Sequence, residues 1–137
     1  MRKKLLITCC AFFIILMTLF SGCIPLSDEA QITYLINRYY YAINKQDWDK
    51  ARSYCIDNSV PYNSVNTIEN ELTQFNLPAE DVSLDYSFYV KSIVISGNFA
   101  TVDGFLTFTI NTDELIQEGS GEKTFRVEKI DSEWKLY

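Results

Sequence analysis

Val82-Ser83-Leu84-Asp85-Tyr86-Ser87-Phe88-Tyr89-Val90 alternates apolar and polar side chains without a break. Successive residues of a strand point to opposite sides, so Val82, Leu84, Tyr86, Phe88 and Val90 share a dry face, while Ser83, Asp85, Ser87, Tyr89 and Lys91 share a wet one. The alternation slips between Lys91 and Val94, which predicts a bulge that bends the strand, and Ser96-Gly97-Asn98 reads as a hairpin turn. Beyond it Ala100, Val102, Gly104, Leu106, Phe108 and Ile110 alternate with Thr101, Asp103, Phe105, Thr107 and Thr109, and Gly104 marks a candidate second bend. A polar segment containing Gly119 and Gly121 reads as a loop. It leads to a strand over about Lys123 to Ile130, a turn at Asp131-Ser132-Glu133, and a last strand from Trp134 to Tyr137.

Upstream of Val82 the period changes. Ser27 is a good helix N-cap, followed by Asp28 and Glu29 where the helix dipole favours negative charge. Ile32, Leu35, Ile36, Tyr39, Ala42 and Ile43 then recur at helical spacing, which predicts a first helix from Asp28 to Ile43. Asn44, Lys45 and Gln46 break that pattern. Asp47 would cap a second, short helix carrying Trp48, Ala51, Tyr54 and Cys55 inward and ending near Ile56. Pro61 interrupts the stretch from Ser59 to Asn63. Asn66 and Glu69 then stand three apart like a capping box, with Ile68, Leu72 and Phe75 as a third helical stripe that Pro78 closes. The expected fold is therefore α+β: three N-terminal helices packed on a bent antiparallel sheet of about four strands, one domain over residues 28–137. Trp48 and Trp134 are both expected in its core.

Three stretches carry a resemblance to the NTF2-like superfamily, the cystatin-like cone fold. They are Tyr39-Tyr40-Tyr41-Ala42-Ile43-Asn44-Lys45-Gln46-Asp47-Trp48, then Asn98-Phe99-Ala100-Thr101-Val102-Asp103-Gly104, then Phe125-Arg126-Val127-Glu128-Lys129-Ile130 with Asp131-Ser132-Glu133-Trp134-Lys135-Leu136. The resemblance implies a cone with a cavity at its open end. It does not imply one activity, because this fold hosts enzymes, binders and assembly modules. The family's ketosteroid isomerases use a tyrosine, a carboxylate base and a protonated aspartate. Matched position by position, the tyrosine falls on Tyr39, the base on Asn63 and the later aspartate on Arg126. Asn63 cannot take a proton at neutral pH, so isomerase chemistry is not expected.

The first 22 residues have the layout of an export signal: Arg2, Lys3 and Lys4, an apolar run from Leu5 to Phe20, then Ser21 and Gly22 before Cys23. Leu19-Phe20-Ser21-Gly22-Cys23 resembles the lipobox of bacterial lipoproteins, with Phe20 where leucine is usual. The resemblance implies cleavage before Cys23 and a diacylglyceryl group on its sulfur, which two acyl chains make a stable anchor. The protein is then held on the extracytoplasmic face of the cell membrane, with residues 23–27 as a short tether. Of the 12 basic residues three leave with the signal, against none of the 18 acidic ones, so the mature chain carries 9 positive and 18 negative side chains, a net charge of −9. Nucleic acid is excluded as a partner, since the cations are scattered singly from Arg38 to Lys135. Anionic head groups should repel such a domain, leaving the lipid as its only hold on the membrane. Cys55 is the one remaining thiol, so no internal disulfide forms and the residue reads as a small hydrophobe.

The chain has no histidine, which removes Ser-His-Asp triads, Cys-His pairs and the common zinc sites, and Gly119-Ser120-Gly121 is too short to cradle a phosphate. No cofactor, metal or catalytic residue is expected. Asp49, Glu71, Asp85 and Glu118 should lie on wet faces rather than as a hydrolytic pair. Two functions remain. One is a cup that takes a small amphipathic ligand or peptide, lined by Tyr39, Tyr62, Asn63, Tyr86 and Phe108. The other is an interaction module in which Phe99 and Phe105, on the otherwise polar strand face, meet a second copy or an envelope protein. The lipobox predicts that Cys23→Ala blocks uptake of a radioactive fatty acid and leaves uncut precursor. Identical processing of the variant and an unlabelled wild type would overturn it.

Overall fold

The computed structural model describes residues 26–74, 79–113 and 115–137, so the expected leader, Cys23 with most of the tether, Phe75 and Pro78 lie outside the described residues. Three helices come first: α1 Asp28–Asn44, α2 Trp48–Ser53 and α3 Val60–Gln74. After a 3-10 turn at Ala79–Asp81 follow β1 Val82–Ser96, β2 Phe99–Thr112, β3 Ile116–Ile130 and β4 Glu133–Leu136. The strands make one antiparallel sheet in the order β1-β2-β3-β4, the expected α+β arrangement.

The sheet bends where the sequence slips out of step. Val90 pairs with Gly104 and Ser92 with Asp103, leaving Lys91 as the extra residue of a bulge. On the other side of β2 the pairing with β3 runs through Gly104 without a shift. Its missing side chain is the space that the Phe88 ring occupies. Ile130 pairs with Glu133 across a two-residue loop in which Asp131 and Ser132 both have positive φ (48° and 71°), the backbone of a type I′ hairpin.

Three sequence expectations are corrected. The polar segment with Gly119 and Gly121 is strand, not loop: β3 begins at Ile116 and pairs with β2 from Asn111 onward. Glycines depress strand propensity, but a paired neighbour strand overrides it. Helix α3 begins at Val60, upstream of the supposed break. Pro61 sits in the first turn, where a missing N–H costs nothing, and the Ser59 hydroxyl accepts from the Tyr62 N–H at 3.4 Å. Asn66 and Glu69 therefore form no capping box. Both accept from Arg52, which also pairs with Asp49 at 2.8 Å and so staples α2 to α3. Third, α2 stops at Ser53, and the next three residues run beside β4 as a parallel bridge. The Ile56 N–H donates to Leu136 O (2.7 Å) and the Leu136 N–H to Tyr54 O (2.9 Å), covering the β4 edge.

Helix α1 lies across the concave face, packed chiefly on β1 and α2. It buries Ile32, Leu35, Ile36, Tyr39, Tyr40, Ala42 and Ile43 against Val82, Leu84, Phe88, Val102, Phe125, Val127 and Leu136. Trp134 is buried as expected, whereas Trp48 is only half-buried at the margin, because it opens α2. The Asp28 carboxylate ties the start of α1 to the sheet, accepting from Lys129 Nζ at 2.7 Å and Trp134 Nε1 at 2.9 Å. Those bonds, Lys129's first, hold the carboxyl below its ordinary value of 3.8. A depressed native pKa gives stabilisation that is present above the unfolded value and lost as pH falls through the native one. Asp28→Asn should therefore melt below wild type at neutral pH, with the gap closing as pH drops under 3.8. A gap unchanged between neutral pH and strong acid would leave the charge no role.

Candidate functional site

The carboxamide of Asn44, the last residue of α1, is docked on the backbone of Tyr86: its Nδ2 donates to Tyr86 O at 2.9 Å and its Oδ1 accepts from Tyr86 N at 2.7 Å. A side-chain amide here imitates a neighbouring strand on the free edge of β1. Gln46 repeats the device one step on, donating to Ala79 O (2.9 Å) and Val82 O (3.0 Å). Both residues looked like a mere pattern break in the sequence. They fix β1 against α1 and with it the position of the Tyr86 ring.

That ring is the middle rung of an aromatic ladder. Tyr40 stacks on Tyr86 (centroids 6.0 Å apart, planes 9° apart), and Tyr86 stacks on its cross-strand partner Phe108 (5.4 Å, 18°). The third rung leans on Gly119, which faces Phe108 across β2 and β3 so closely that a Cβ there would enter the ring. Glycine lets an aromatic neighbour cover the bare backbone. Below the ladder, Tyr39, Tyr40, Phe88 and Phe125 fill the depth of the cone through edge-to-face contacts, among them Phe88 to Phe125 at 5.3 Å and Tyr39 to Tyr40 at 5.0 Å. The cone is plugged at its base. Around its mouth Leu106 and Ile110, two places either side of Phe108 on β2, are half-buried, as are Tyr62, Ile68 and Leu72 of α3.

The five expected lining residues are thus dispersed. Tyr86 and Phe108 touch. Tyr39 lies in the plugged base, where its hydroxyl donates to Pro61 O at 3.0 Å. Tyr62 is half-buried on α3, while Asn63 is exposed on the same helix and donates to Asn58 O at 3.0 Å. Arg126 is exposed on the outer sheet face, so the aligned base and acid positions both miss the interior. Tyr40 was not foreseen, although it continues the Ile32–Ile36 stripe at a spacing of four.

Burial pushes the phenols of Tyr39, Tyr40 and Tyr86 above their ordinary range, Tyr86 with a further contribution from the Glu71 carboxylate. They stay neutral hydrogen-bonding groups. Among the described residues no hydrogen-bond partner takes up the hydroxyls of Tyr40 and Tyr86, and neither is a fully buried, unsatisfied group. The Cys55 thiol is pushed up to about 12 by burial, which makes it inert as a nucleophile. No cluster of three or more Cys, Asp or Glu suited to a metal ion occurs among the described residues.

On the outer sheet face Tyr89 (74% exposed) stands opposite Phe105, with Val94 and Phe99 (64% and 56%) on the same face. Lys91 lies over the Phe105 ring at 5.8 Å while pairing with Glu122 at 2.6 Å. A separate open cleft of about 590 Å³ lies between the first turn of α3 and β3, with Asp57, Pro61, Lys123 and Arg126 on its walls. It shares only Phe125 with the aromatic base.

No protein-family model matches the sequence, and no curated protein does. Solved structures do match in shape. A conserved protein from Planctomyces limnophilus superposes with a TM-score of 0.65 at 19% identity, over 80% of this chain and 91% of that one. An NTF-2 like protein of unknown function from Shewanella oneidensis gives 0.58 at 21% identity, over 77% and 91%. A ketosteroid isomerase-like protein from Erwinia carotovora atroseptica gives 0.59 at 17% identity, over 81% and 92%. These likenesses establish the NTF2-like fold and leave the activity open. Since the ladder depends on the bare backbone at Gly119, Gly119→Ala should cost about 1–3 kcal/mol by overpacking and alter the near-UV circular dichroism. Phe108→Leu should recover much of that loss. A neutral Gly119→Ala would refute the close approach.

Proposed function

We propose that this chain is a lipid-anchored, extracytoplasmic binding module that seats a small amphipathic molecule on the Tyr40–Tyr86–Phe108 ladder and releases it chemically unchanged. The ladder carries the reading. Its rings offer an apolar, polarisable wall, two phenol hydroxyls supply hydrogen bonds at its edge, and Glu71 stands near enough to act on Tyr86. The plugged base limits the seat to the mouth, which suits a flat ligand lying across the opening.

The groups present support release without turnover. Phenols and a thiol raised by burial are poor bases at neutral pH, and the positions that align with the isomerase base and acid, Asn63 and Arg126, are exposed rather than turned into the cone. Anchoring rests on the signal layout and Cys23. Among the described residues no helix is long and apolar enough to cross a membrane.

A second reading has its own observation. Tyr89, Phe105, Phe99 and Val94 on one sheet face form the kind of surface through which a second copy or an envelope protein could be held. One experiment separates the two. Titration of the protein with anilinonaphthalene sulfonate, a small amphipathic anion, followed by fluorescence, should give saturable binding. Tyr86→Ala or Phe108→Ala should weaken it about tenfold, the loss of about 1.4 kcal/mol of stacking and burial. The probe should be recovered unaltered. Binding indifferent to both substitutions would sink the cup, and a concentration-dependent mass lost on Phe105→Ser would favour the interaction surface.

A further inference from the structure

Nine basic residues are strung along the chain from Arg38 to Lys135, and folding gathers four of them on one face. Tyr34, Arg38, Tyr41 and Lys45 stand three or four apart, so they form a single outward stripe of α1. The Arg38 guanidinium lies 5.9 Å from the Tyr34 ring and 5.5 Å from that of Tyr41, and the Lys45 ammonium lies 5.8 Å from Tyr41. Helix α2 adds Lys50, 5.3 Å from the ring of Tyr54, whose hydroxyl accepts from Arg38 at 3.4 Å and joins the two helices into one surface. A cleft of about 220 Å³ opens among Arg38, Tyr41, Lys45, Asp47 and Lys50. Beside it a hollow of about 450 Å³ is lined by Leu26, Tyr34, Lys50, Trp134 and Lys135.

Three of the cations on this face have no carboxylate in pairing distance among the described residues. Arg52, Lys91 and Lys129 are each paired with a carboxylate, and Lys135 at the rim of the hollow with Glu133 at 3.8 Å, whereas among the described residues Arg38, Lys45 and Lys50 pair with none. Lys123 and Arg126 are unpaired too, but they border the separate cleft beside β3. Tyr34 and Tyr41 between them are 59% and 54% exposed. Tyrosine alternating with Lys and Arg is the composition of a membrane–water interface, where the ring sits at head-group level and the cation meets phosphate. Position agrees with composition. Leu26 in the hollow stands three residues after Cys23, a span of at most about 11 Å, so a lipid on Cys23 would enter the bilayer beside this face.

We propose that the α1–α2 face formed by Tyr34, Arg38, Tyr41, Lys45, Lys50 and Lys135 docks on anionic lipid head groups and sets the orientation of the domain on the membrane. The inference uses the anchoring reading for its geometry. It reverses the repulsion expected from net charge, because a charge of −9 is an average and head groups within a Debye length of about 8 Å respond to the face presented to them. The acidic remainder of the domain is held off by the same field, which makes one face the stable one. The outer sheet face, on the far side of the sheet from α1, is then turned to the medium.

The test is lysine footprinting of the full chain with an amine-acetylating reagent, on vesicles of phosphatidylcholine alone or mixed with phosphatidylglycerol. Flotation with the neutral vesicles scores anchoring separately. The expected result is that acetylation of Lys45 and Lys50 slows about fivefold or more on the mixed vesicles only, while Lys91 on the outer sheet is unaffected. The protection should vanish near 1 M salt, where the Debye length is about 3 Å, and that of Lys50 should vanish in Arg38→Glu/Lys45→Glu. Equal labelling on both vesicle types, or equal protection on both, overturns the proposal whether or not the chain floats. Protection that appears only with an acidic protein present overturns it in favour of that occupant. If the chain fails to float on neutral vesicles but is still protected on mixed ones, the anchoring reading falls and the docking stands.

Discussion

The seat of the aromatic ladder depends on two hydrogen bonds from one side chain. Asn44 satisfies the backbone of Tyr86 on an otherwise unpaired edge, and a buried or edge backbone group left without a partner would cost more than the bonds themselves contribute. Because Asn44 ends α1, the bonds fix the rotation of that helix relative to β1, and so which face of Tyr40 meets Tyr86. The next rung follows from antiparallel pairing of Tyr86 with Phe108, and the last from the absence of a side chain at Gly119. A single amide thus sets the register of a site built from four separate elements.

Regular patterns were legible in the sequence wherever one physical effect dominated. Strand β1 was readable because its two faces see different solvents, and the bulge at Lys91 because a slip in alternation has no other explanation in a paired strand. The first helix was readable to within a residue of its end, since Ser27 caps it and its apolar stripe is continuous. Patterns failed where tertiary pairing outweighed local preference. Nothing local distinguishes Gly119-Ser120-Gly121 in a flexible turn from the same residues under the ring of Phe108. Pro61 looked like a break because its place in the first turn of α3 becomes visible only once Ser59 is known to cap it.

The site was less legible than the fold for a related reason. Tyr86 and Phe108 could be chosen because each lay on the dry face of its own strand. Tyr39 was chosen for its place in a family pattern, and the structure puts its hydroxyl to work on Pro61 instead. Asn44 and Gln46 carry no periodic signal at all. Their importance lies in reaching backbone groups more than thirty residues away. The gathering of Arg38, Lys45 and Lys50 was hidden likewise, since spacing along a chain does not reveal which cations share a surface when two helices contribute them.

The bond from Asp28 to Lys129 and Trp134 joins the first turn of the domain to its last hairpin, across a sequence separation of more than a hundred residues. A chain is made from its N-terminus, so the apolar stripe of α1 exists long before Trp134 and Leu136, against which part of it must close. Until the final strand emerges, the helix has no complete docking surface, and contacts so distant in sequence form slowly. The domain therefore completes its core only after β4 has been made. A polypeptide with that schedule keeps the apolar stripe of its first helix open to solvent, chaperones and proteases until its last hairpin is in place.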